Sequence, residues 1–209
     1  LLLASLIFLP LAWPDRLALV ALPGRDRLVL LVAGAGLAAH LISWTAAVQH
    51  TTVANAAVFF AVNPVMVALG GYLLFGERVG LRFAVSIALG LLGVAVLGGG
   101  DLQLRPEQLL GNGYALLSAV FFAVYFLAGK QVRRSLPSRM HVLAVYGTAA
   151  VVSFAALVGL GSPVVHHSQR SWLCFVLMAL IPTGIGHTAL NHALRWVPVG
   201  RLSVATLAE

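Results

Sequence analysis

Charged side chains are scarce in this sequence. Asp, Glu, Lys and Arg make up only 9% of its 209 residues, whereas a soluble domain carries about 25%. Cys174 is the only cysteine, which excludes an intrachain disulfide and a cysteine metal cluster. Between residues 28 and 200 the only acids are Glu77, Asp101 and Glu107, and none lies at catalytic spacing from a histidine. The scarcity argues against a soluble domain and against an enzyme that needs paired acid–base groups.

Long apolar runs dominate instead, and 60% of the residues are hydrophobic. A helix that crosses ~30 Å of hydrocarbon needs roughly 20 apolar residues. Backbone amides in lipid must be satisfied internally, so the expected fold class is an all-α, polytopic transmembrane helical bundle. Both chain ends fall inside apolar runs, 1–12 and 200–209, so we interpret the sequence as a fragment of a longer protein. The complete predicted spans are 28–49, 54–75, 81–97, 109–129, 141–160 and 171–194.

The cations predict an orientation in the membrane. Eleven of the thirteen Lys and Arg residues fall in the first, third, fifth and seventh loops between the apolar runs, and only Arg105 and Arg170 fall in the others. Because cytoplasmic loops retain Lys and Arg, the odd-numbered loops are predicted to face the cytoplasm. The formal net charge of +7 is therefore a property of the loops and does not indicate nucleic-acid binding.

A faint internal repeat is the second organising feature. A shift of 146 residues superimposes residues 36–63 on 182–209, with Val53 on Val199 and Val58 on Val204. Both copies read as a long helix, a very short turn and a helix that begins with small residues. The copies lie five spans apart, and because five is odd they must insert in opposite orientations. Inverted repeats of this kind are typical of secondary transporters.

The segment TTVANAAVFFAVNPVMVALGGYLLFGERV, residues 51–79, carries a recognisable pattern. It has Thr-Val-Ala at 52–54, a mid-membrane Pro64 and Gly-Glu-Arg at 76–78. This pattern resembles the fourth helix of the EamA-type permeases of the drug/metabolite transporter superfamily. Residues 111–130 resemble the sixth helix of that family, and VGRLSVATLAE at 199–209 resembles the start of the ninth.

The resemblance implies ten helices in two inverted halves. Residues 1–104 would then be the end of the first repeat, from late helix 2 to helix 5, and residues 105–209 the start of the second, from helix 6 to early helix 9. It also implies a secondary transporter in a bacterial inner membrane that exports a small organic metabolite or drug by alternating access around a midplane cavity. The expected partners are the lipid bilayer and the solute, with proton coupling as one option. Glycine-rich pieces such as 34–36 lack the Gly-Lys-Ser/Thr of a phosphate loop, so no cofactor or ATP dependence is expected.

Polar residues inside the spans are the candidates for solute binding, because each costs roughly 2.5–3.5 kcal/mol to insert. Asn63 precedes Pro64, which removes one amide and frees an upstream carbonyl. Its repeat mate Glu209 would be a desolvated carboxylate suited to proton coupling. Each candidate has an alternative role in helix packing or interhelical hydrogen bonding. The full set of predicted substrate-binding residues is Asn63, Trp44, His40, His187, Asn191, Tyr125 and Glu209.

Other polar residues are interpreted structurally. Lys130 and Arg133 are expected to anchor a cytoplasmic loop, and Glu77 to cap a helix or to pair with Arg78 or Arg82. No metal site is expected, because His187 and His192 are five residues apart rather than four. Two alternatives to transport remain: a membrane-embedded scaffold or assembly subunit, and an intramembrane enzyme.

Overall fold

The computed structural model describes residues 1–78, 80–98, 105–133, 135–161 and 168–206. All regular structure in these residues is helical. Short 3₁₀ turns follow the first helix, at Trp13–Asp15, and precede the seventh, at Pro106–Gln108. The α-helices are α1 (Leu2–Ala12), α2 (Arg16–Val20), α3 (Gly24–His50), α4 (Val53–Phe60), α5 (Asn63–Phe75), α6 (Leu81–Gly98), α7 (Leu109–Arg133), α8 (Ser138–Gly159), α9 (Gln169–Met178), α10 (Thr188–Ala193) and α11 (Val199–Ala205).

Six helical stretches of the described residues are long and apolar enough to cross a membrane. They carry many exposed large apolar side chains, among them Leu2, Leu73 and Val151, and lipid is the solvent in which such faces are stable. The fold is therefore the predicted polytopic α-helical bundle. The six stretches are Leu2–Val20, Gly24–His50, Val53–Phe75, Pro106–Arg133, Ser138–Gly159 and Gln169–Ala193.

The first stretch is longer than the apolar run suggested. The apolar run 1–12 and the predicted span 28–49 implied a loop after residue 12, but the chain continues through Pro14 and the 3₁₀ turn into α2 and bends only at Ala21–Pro23. Pro14 lies at the start of that turn, where its missing N–H would have had no intrahelical partner. The apolar part of α6 is shorter than a full span, at Leu81–Val94.

Prolines distort two of the spans. In the third, α4 ends at Phe60 and α5 begins at Asn63, so the helix breaks immediately before Pro64. In the last complete span, the segment Ala179–His187 between α9 and α10 is π-helical and contains Pro182. The wider turn of the π-helix accommodates this proline without ending the helical stretch.

The described chain divides into two units, and the boundaries fall within α3 and α7. The first unit contains residues 1–38 and 128–195, and its core includes Leu37, Val145 and Tyr146. The close approach of α3 to α8 requires Gly34, because a Cβ there would collide with the Thr148 side chain. This unit holds the π-helical segment and the polar side chains around it.

The second unit contains residues 39–127 and 196–209. Helix α5 ends at Gly76, whose φ of 67° supplies the left-handed cap that glycine adopts without strain. Helices α4 and α11 begin at Val53 and Val199, which are the positions that the shift of 146 residues superimposes. The two helix starts agree with the predicted repeat, while the division of the chain at residue 104 stays a prediction.

Candidate functional site

The break between α4 and α5 places Asn63 inside the second unit. Pro64 has no N–H to donate to the carbonyl of Phe60, so the regular hydrogen-bond ladder cannot cross this point. Asn63 is fully buried, and its Nδ2 donates to the Ala119 carbonyl of α7 at 3.0 Å. Its Oδ1 has no hydrogen-bond partner within the described residues. Buried polar atoms are almost always paired, so an open acceptor at this depth is a candidate for contact with a solute.

Aromatic rings of α3, α4 and α7 form a cluster in the same unit. The His40 ring lies 5.0 Å from Phe122 and 5.4 Å from Phe60, between ring centroids. Trp44, one turn further along α3, lies 5.6 Å from Phe60, and Tyr125 lies 5.6 Å from Phe122. Edge-to-face pairs at these separations stabilise one another beyond simple burial. We call His40, Trp44, Asn63, Phe122 and Tyr125 the aromatic–amide cluster.

His40 is held in place by Ser118 of α7. Its Nδ1 lies 2.8 Å from the Ser118 hydroxyl and 3.2 Å from the Ser118 carbonyl, and the same hydroxyl is 3.2 Å from the His40 carbonyl. Both side chains are buried. The sequence analysis missed Ser118, although it follows the buried Ala115 by three residues on the helix face that packs inward.

His187 and Asn191 lie in the first unit, where Asn191 belongs to a hydrogen-bonded network. The Asn191 side chain donates from Nδ2 to the His187 carbonyl at 2.8 Å, and its Oδ1 lies 3.2 Å from Nε2 of His141. The Arg133 Nε donates to the Asn191 carbonyl at 3.2 Å, and its guanidinium also donates to the Leu136 carbonyl. We call Arg133, His141 and Asn191 the carbonyl-bound network.

The hydroxyl of Tyr146 contacts the π-helical segment. It donates to the Thr183 carbonyl at 2.8 Å, and the Thr188 hydroxyl donates to the same carbonyl at 3.3 Å. The Thr183 carbonyl lies within the π-helical segment, so hydroxyls of α8 and α10 hydrogen-bond to the backbone of that segment. Tyr146 is therefore a positioning residue for the distorted helix.

The structure groups the predicted binding residues in two places. His40, Trp44, Asn63 and Tyr125 share the aromatic–amide cluster, whereas His187 and Asn191 lie beside the carbonyl-bound network. The remaining prediction, Glu209, falls outside the described residues. None of three cavities formed by the described residues is lined by the six placed side chains, so their role in binding stays a prediction.

The residues that were interpreted structurally have defined positions. Lys130 and Arg133 were predicted to anchor a cytoplasmic loop; their side chains are buried, with 7% and 2% of their surface accessible, and their place on the cytoplasmic side stays a prediction. Arg133 is buried because backbone carbonyls near it accept its donors. Glu77 was predicted to cap a helix or to pair with a neighbouring arginine, and the cap is confirmed: its Oε2 accepts the backbone N–H of Val199, the first residue of α11, at 2.9 Å.

The chemistry available to these side chains is recognition by hydrogen bonds and ring contacts. Within the described residues, no group of three or more His, Cys, Asp or Glu side chains is placed to hold a metal ion. The aromatic–amide cluster contains no carboxylate, lysine or arginine, so it suits a solute that presents hydrogen-bond donors and an apolar or aromatic body.

Comparisons with known proteins agree with this architecture. A family model, described as the EamA-like transporter family, matches the chain over residues 1–99 and again over 109–209. An uncharacterized transporter of Archaeoglobus fulgidus is 27% identical over 169 residues, which cover 80% of this chain and 58% of that protein. The uncharacterized transporter YxxF of Bacillus subtilis is 27% identical over 193 residues, which cover 88% of this chain and 59% of that protein.

The chain therefore spans less than two thirds of the length of both relatives. A solved crystal structure is similar in fold, with a TM-score of 0.66 and 22% sequence identity, over 98% of this chain and 81% of that one. The two matches to the family model together cover nearly the whole chain, and the protein thus belongs to the EamA-like transporter family.

Proposed function

We propose that the protein is a secondary transporter that moves a small organic solute across a bacterial cytoplasmic membrane by alternating access. The direction we propose is export, and Glu209 is the residue we propose for coupling to protons. Membership of a transporter family supports the transport function. The open Oδ1 of the buried Asn63 carries the assignment of the binding site.

The cluster around Asn63 suggests the class of solute. Its side chains are aromatic or amide groups, and none is a carboxylate, a lysine or an arginine. We therefore expect no ion pair between such a group of the cluster and the solute. A solute with an N–H or O–H donor would satisfy the Asn63 oxygen, and a ring or apolar body would pack against Trp44 and Phe122. Aromatic amino acids, aromatic amines and purines meet both requirements.

His187 adds a second set of predicted contacts. It borders the π-helical segment, and wide helical turns are frequent at functional sites. We propose that this segment changes conformation as the binding site opens to one side of the membrane and then to the other. Asn191 is the weaker member of the predicted pair, since both ends of its amide already have partners.

Transport measurements on the full-length protein test this proposal. Radiolabelled aromatic amino acids, amines and purines would be offered to proteoliposomes that contain the wild-type protein or Asn63→Ala. Loss of one hydrogen bond to the solute corresponds to roughly tenfold, so kcat/KM should fall about tenfold or more in the variant. Asn63→Ala should lower the free energy of unfolding by only about 1 kcal/mol, since it removes one protein hydrogen bond.

Asn55→Ala is the matched control. Asn55 is also a buried asparagine of the same span, and its Nδ2 donates to the Gln108 side chain at 2.7 Å. Its substitution should leave kcat/KM for the solute within about twofold of wild type. Equal transport by Asn63→Ala and wild type would refute the site, and folded protein that moves none of the solutes would refute the function.

A further inference from the structure

A basic cavity of about 840 Å³ lies in the second unit, at the end of α5 and the beginnings of α6 and α11. Arg78, Arg82 and Arg201 line it, together with Glu77 and Ser86. It is separate from the aromatic–amide cluster, none of whose residues line it. Neither solute binding nor the transport cycle proposed above assigns it a role.

The cavity carries excess positive charge. Glu77 is the only acid among its lining residues, and the carboxylate of Glu77 already accepts the Val199 amide. The three arginine side chains are exposed, and within the described residues no side-chain hydrogen bond or ion pair engages them. Three guanidinium groups around one space form a site for an anion with several oxygens, because each presents donors in a fork that fits phosphate.

An apolar groove adjoins the basic cavity. This second cavity has a volume of about 600 Å³ and is lined by Val65, Ala68, Leu69, Tyr72 and Arg78. It shares Ala68 and Arg78 with the basic cavity. Leu69 and Tyr72 are more than half exposed. One continuous surface is thus basic at one end and apolar at the other, which matches an amphiphile and not a free phosphate ion.

The position of this surface fits a lipid of one leaflet. Arg78 and Arg82 belong to the third loop and Arg201 to the seventh, and the loop charges predict that both loops face the cytoplasm. Anionic lipids are recognised by basic pockets between helices on that side of the membrane. The groove runs from the loop along α5, the direction in which an acyl chain enters the bilayer.

We propose that the basic cavity and the groove together bind an anionic phospholipid of the cytoplasmic leaflet. The headgroup phosphate lies among Arg78, Arg82 and Arg201, and one acyl chain lies against Val65 and Leu69. The negative charge of the bound lipid reduces the repulsion among the three cations at the junction of α5, α6 and α11.

Lipid binding to the purified full-length protein tests the proposal without any transport measurement. The probes are dioctanoyl phosphatidylglycerol, dioctanoyl phosphatidylcholine and inorganic phosphate, with the bound lipid counted by native mass spectrometry and the affinity taken from titration. The triple variant R78Q/R82Q/R201Q should bind phosphatidylglycerol about 100-fold more weakly, since each basic residue near the surface contributes about a factor of five. Leu69→Trp, which fills the groove, should also weaken phosphatidylglycerol binding while Arg78 is intact.

The matched control is R25Q/R105Q/R170Q, which removes the same charge from three exposed arginines elsewhere in the chain. It should bind phosphatidylglycerol as the wild type does, and phosphatidylcholine should bind weakly to both. Undiminished phosphatidylglycerol binding by R78Q/R82Q/R201Q would overturn the proposal. So would wild-type protein that binds no phosphatidylglycerol, because another part of the full-length chain would then fill the cavity. Inorganic phosphate binding as tightly as phosphatidylglycerol would also overturn it, since the site would then be for a free anion.

Discussion

Asn191 in the first unit and Asn63 in the second differ in how completely their side-chain amides are hydrogen-bonded. In the first unit, the guanidinium of Arg133 donates to backbone carbonyls, and Asn191 is bonded on both sides of its amide. In the second, Asn63 donates to one carbonyl and its oxygen is open, with aromatic rings around His40 and Trp44 nearby. Both sets of side chains are buried, and the spans that carry them are similar in length and hydrophobicity. Burial alone therefore does not distinguish the two sets.

We propose that the difference separates a structural role from a binding role. Where Arg133 and Asn191 are paired with carbonyls, they hold backbone that departs from a regular helix, here near the π-helical segment and the turn at Leu136. The half-satisfied amide of Asn63 is instead proposed to retain a place for a partner from outside. We therefore expect substitutions in the first unit to act mainly on stability and substitutions around Asn63 to act mainly on transport.

Arg133→Met should have the largest effect on stability. The variant leaves the Asn191 and Leu136 carbonyls without their charged donor, which should lower the free energy of unfolding by about 2–3 kcal/mol. Unfolding by SDS in mixed micelles, followed by circular dichroism, measures it. Arg170→Met, at an exposed position outside the network, should change the same quantity by less than about 0.5 kcal/mol. Equal stability of the two variants would remove the distinction between the units.

Asn191→Ala should come next, at about 2 kcal/mol. The substitution leaves Nε2 of the buried His141 without its partner and releases the His187 carbonyl. Asn63→Ala should impair transport, whereas Asn191→Ala should impair folding. If Asn191→Ala retained wild-type stability and lost transport, Asn191 would contact the solute and the comparison would fail on that side.

Tyr146→Phe should have the smallest effect, about 0.5–1 kcal/mol. The Thr183 carbonyl loses the tyrosine hydroxyl but keeps the Thr188 hydroxyl, so it is not left without a donor. Tyr114→Phe is the control, since the ring of Tyr114 stacks on His50 at 5.9 Å and no hydrogen bond of its hydroxyl is among the described contacts. Amide exchange in 179–187 should become faster in Tyr146→Phe only. Unchanged exchange would show that the hydroxyl does not hold the π-helical segment.

The membrane fold was predictable because the length of an apolar run can be read directly from the sequence. A run of apolar residues bounded by Arg and Gly predicts a span whatever its neighbours are, and 81–97 became Leu81–Gly98. Pro64 likewise indicated a freed carbonyl in its helix, because the loss of the proline N–H does not depend on the rest of the fold. The same reasoning failed at Pro14, where a 3₁₀ turn absorbs the proline without ending the helical stretch.

The partners of the candidate residues could not be predicted in this way. Asn63 and His40 were recognised because a polar group in an apolar run is unusual, but nothing local pairs His40 with Ser118, 78 residues away. The partners of Arg133 were missed for the same reason, because a cation at the end of a span gives no sign of the distant carbonyls that bury it. Long-range pairing depends on how helices pack, which single-sequence patterns do not encode.

The two repeat-related helices are capped at their N-termini by residues that lie at different distances along the chain. Helix α4 uses the adjacent Thr52, whose hydroxyl accepts the Asn55 amide. Helix α11 instead relies on Glu77, 122 residues earlier in the chain. Because Glu77 is synthesised long before Val199, this cap can form only once the two distant segments have packed together. The N-terminus of α11 therefore depends on tertiary packing for its acceptor, whereas α4 carries its acceptor in the adjacent residue.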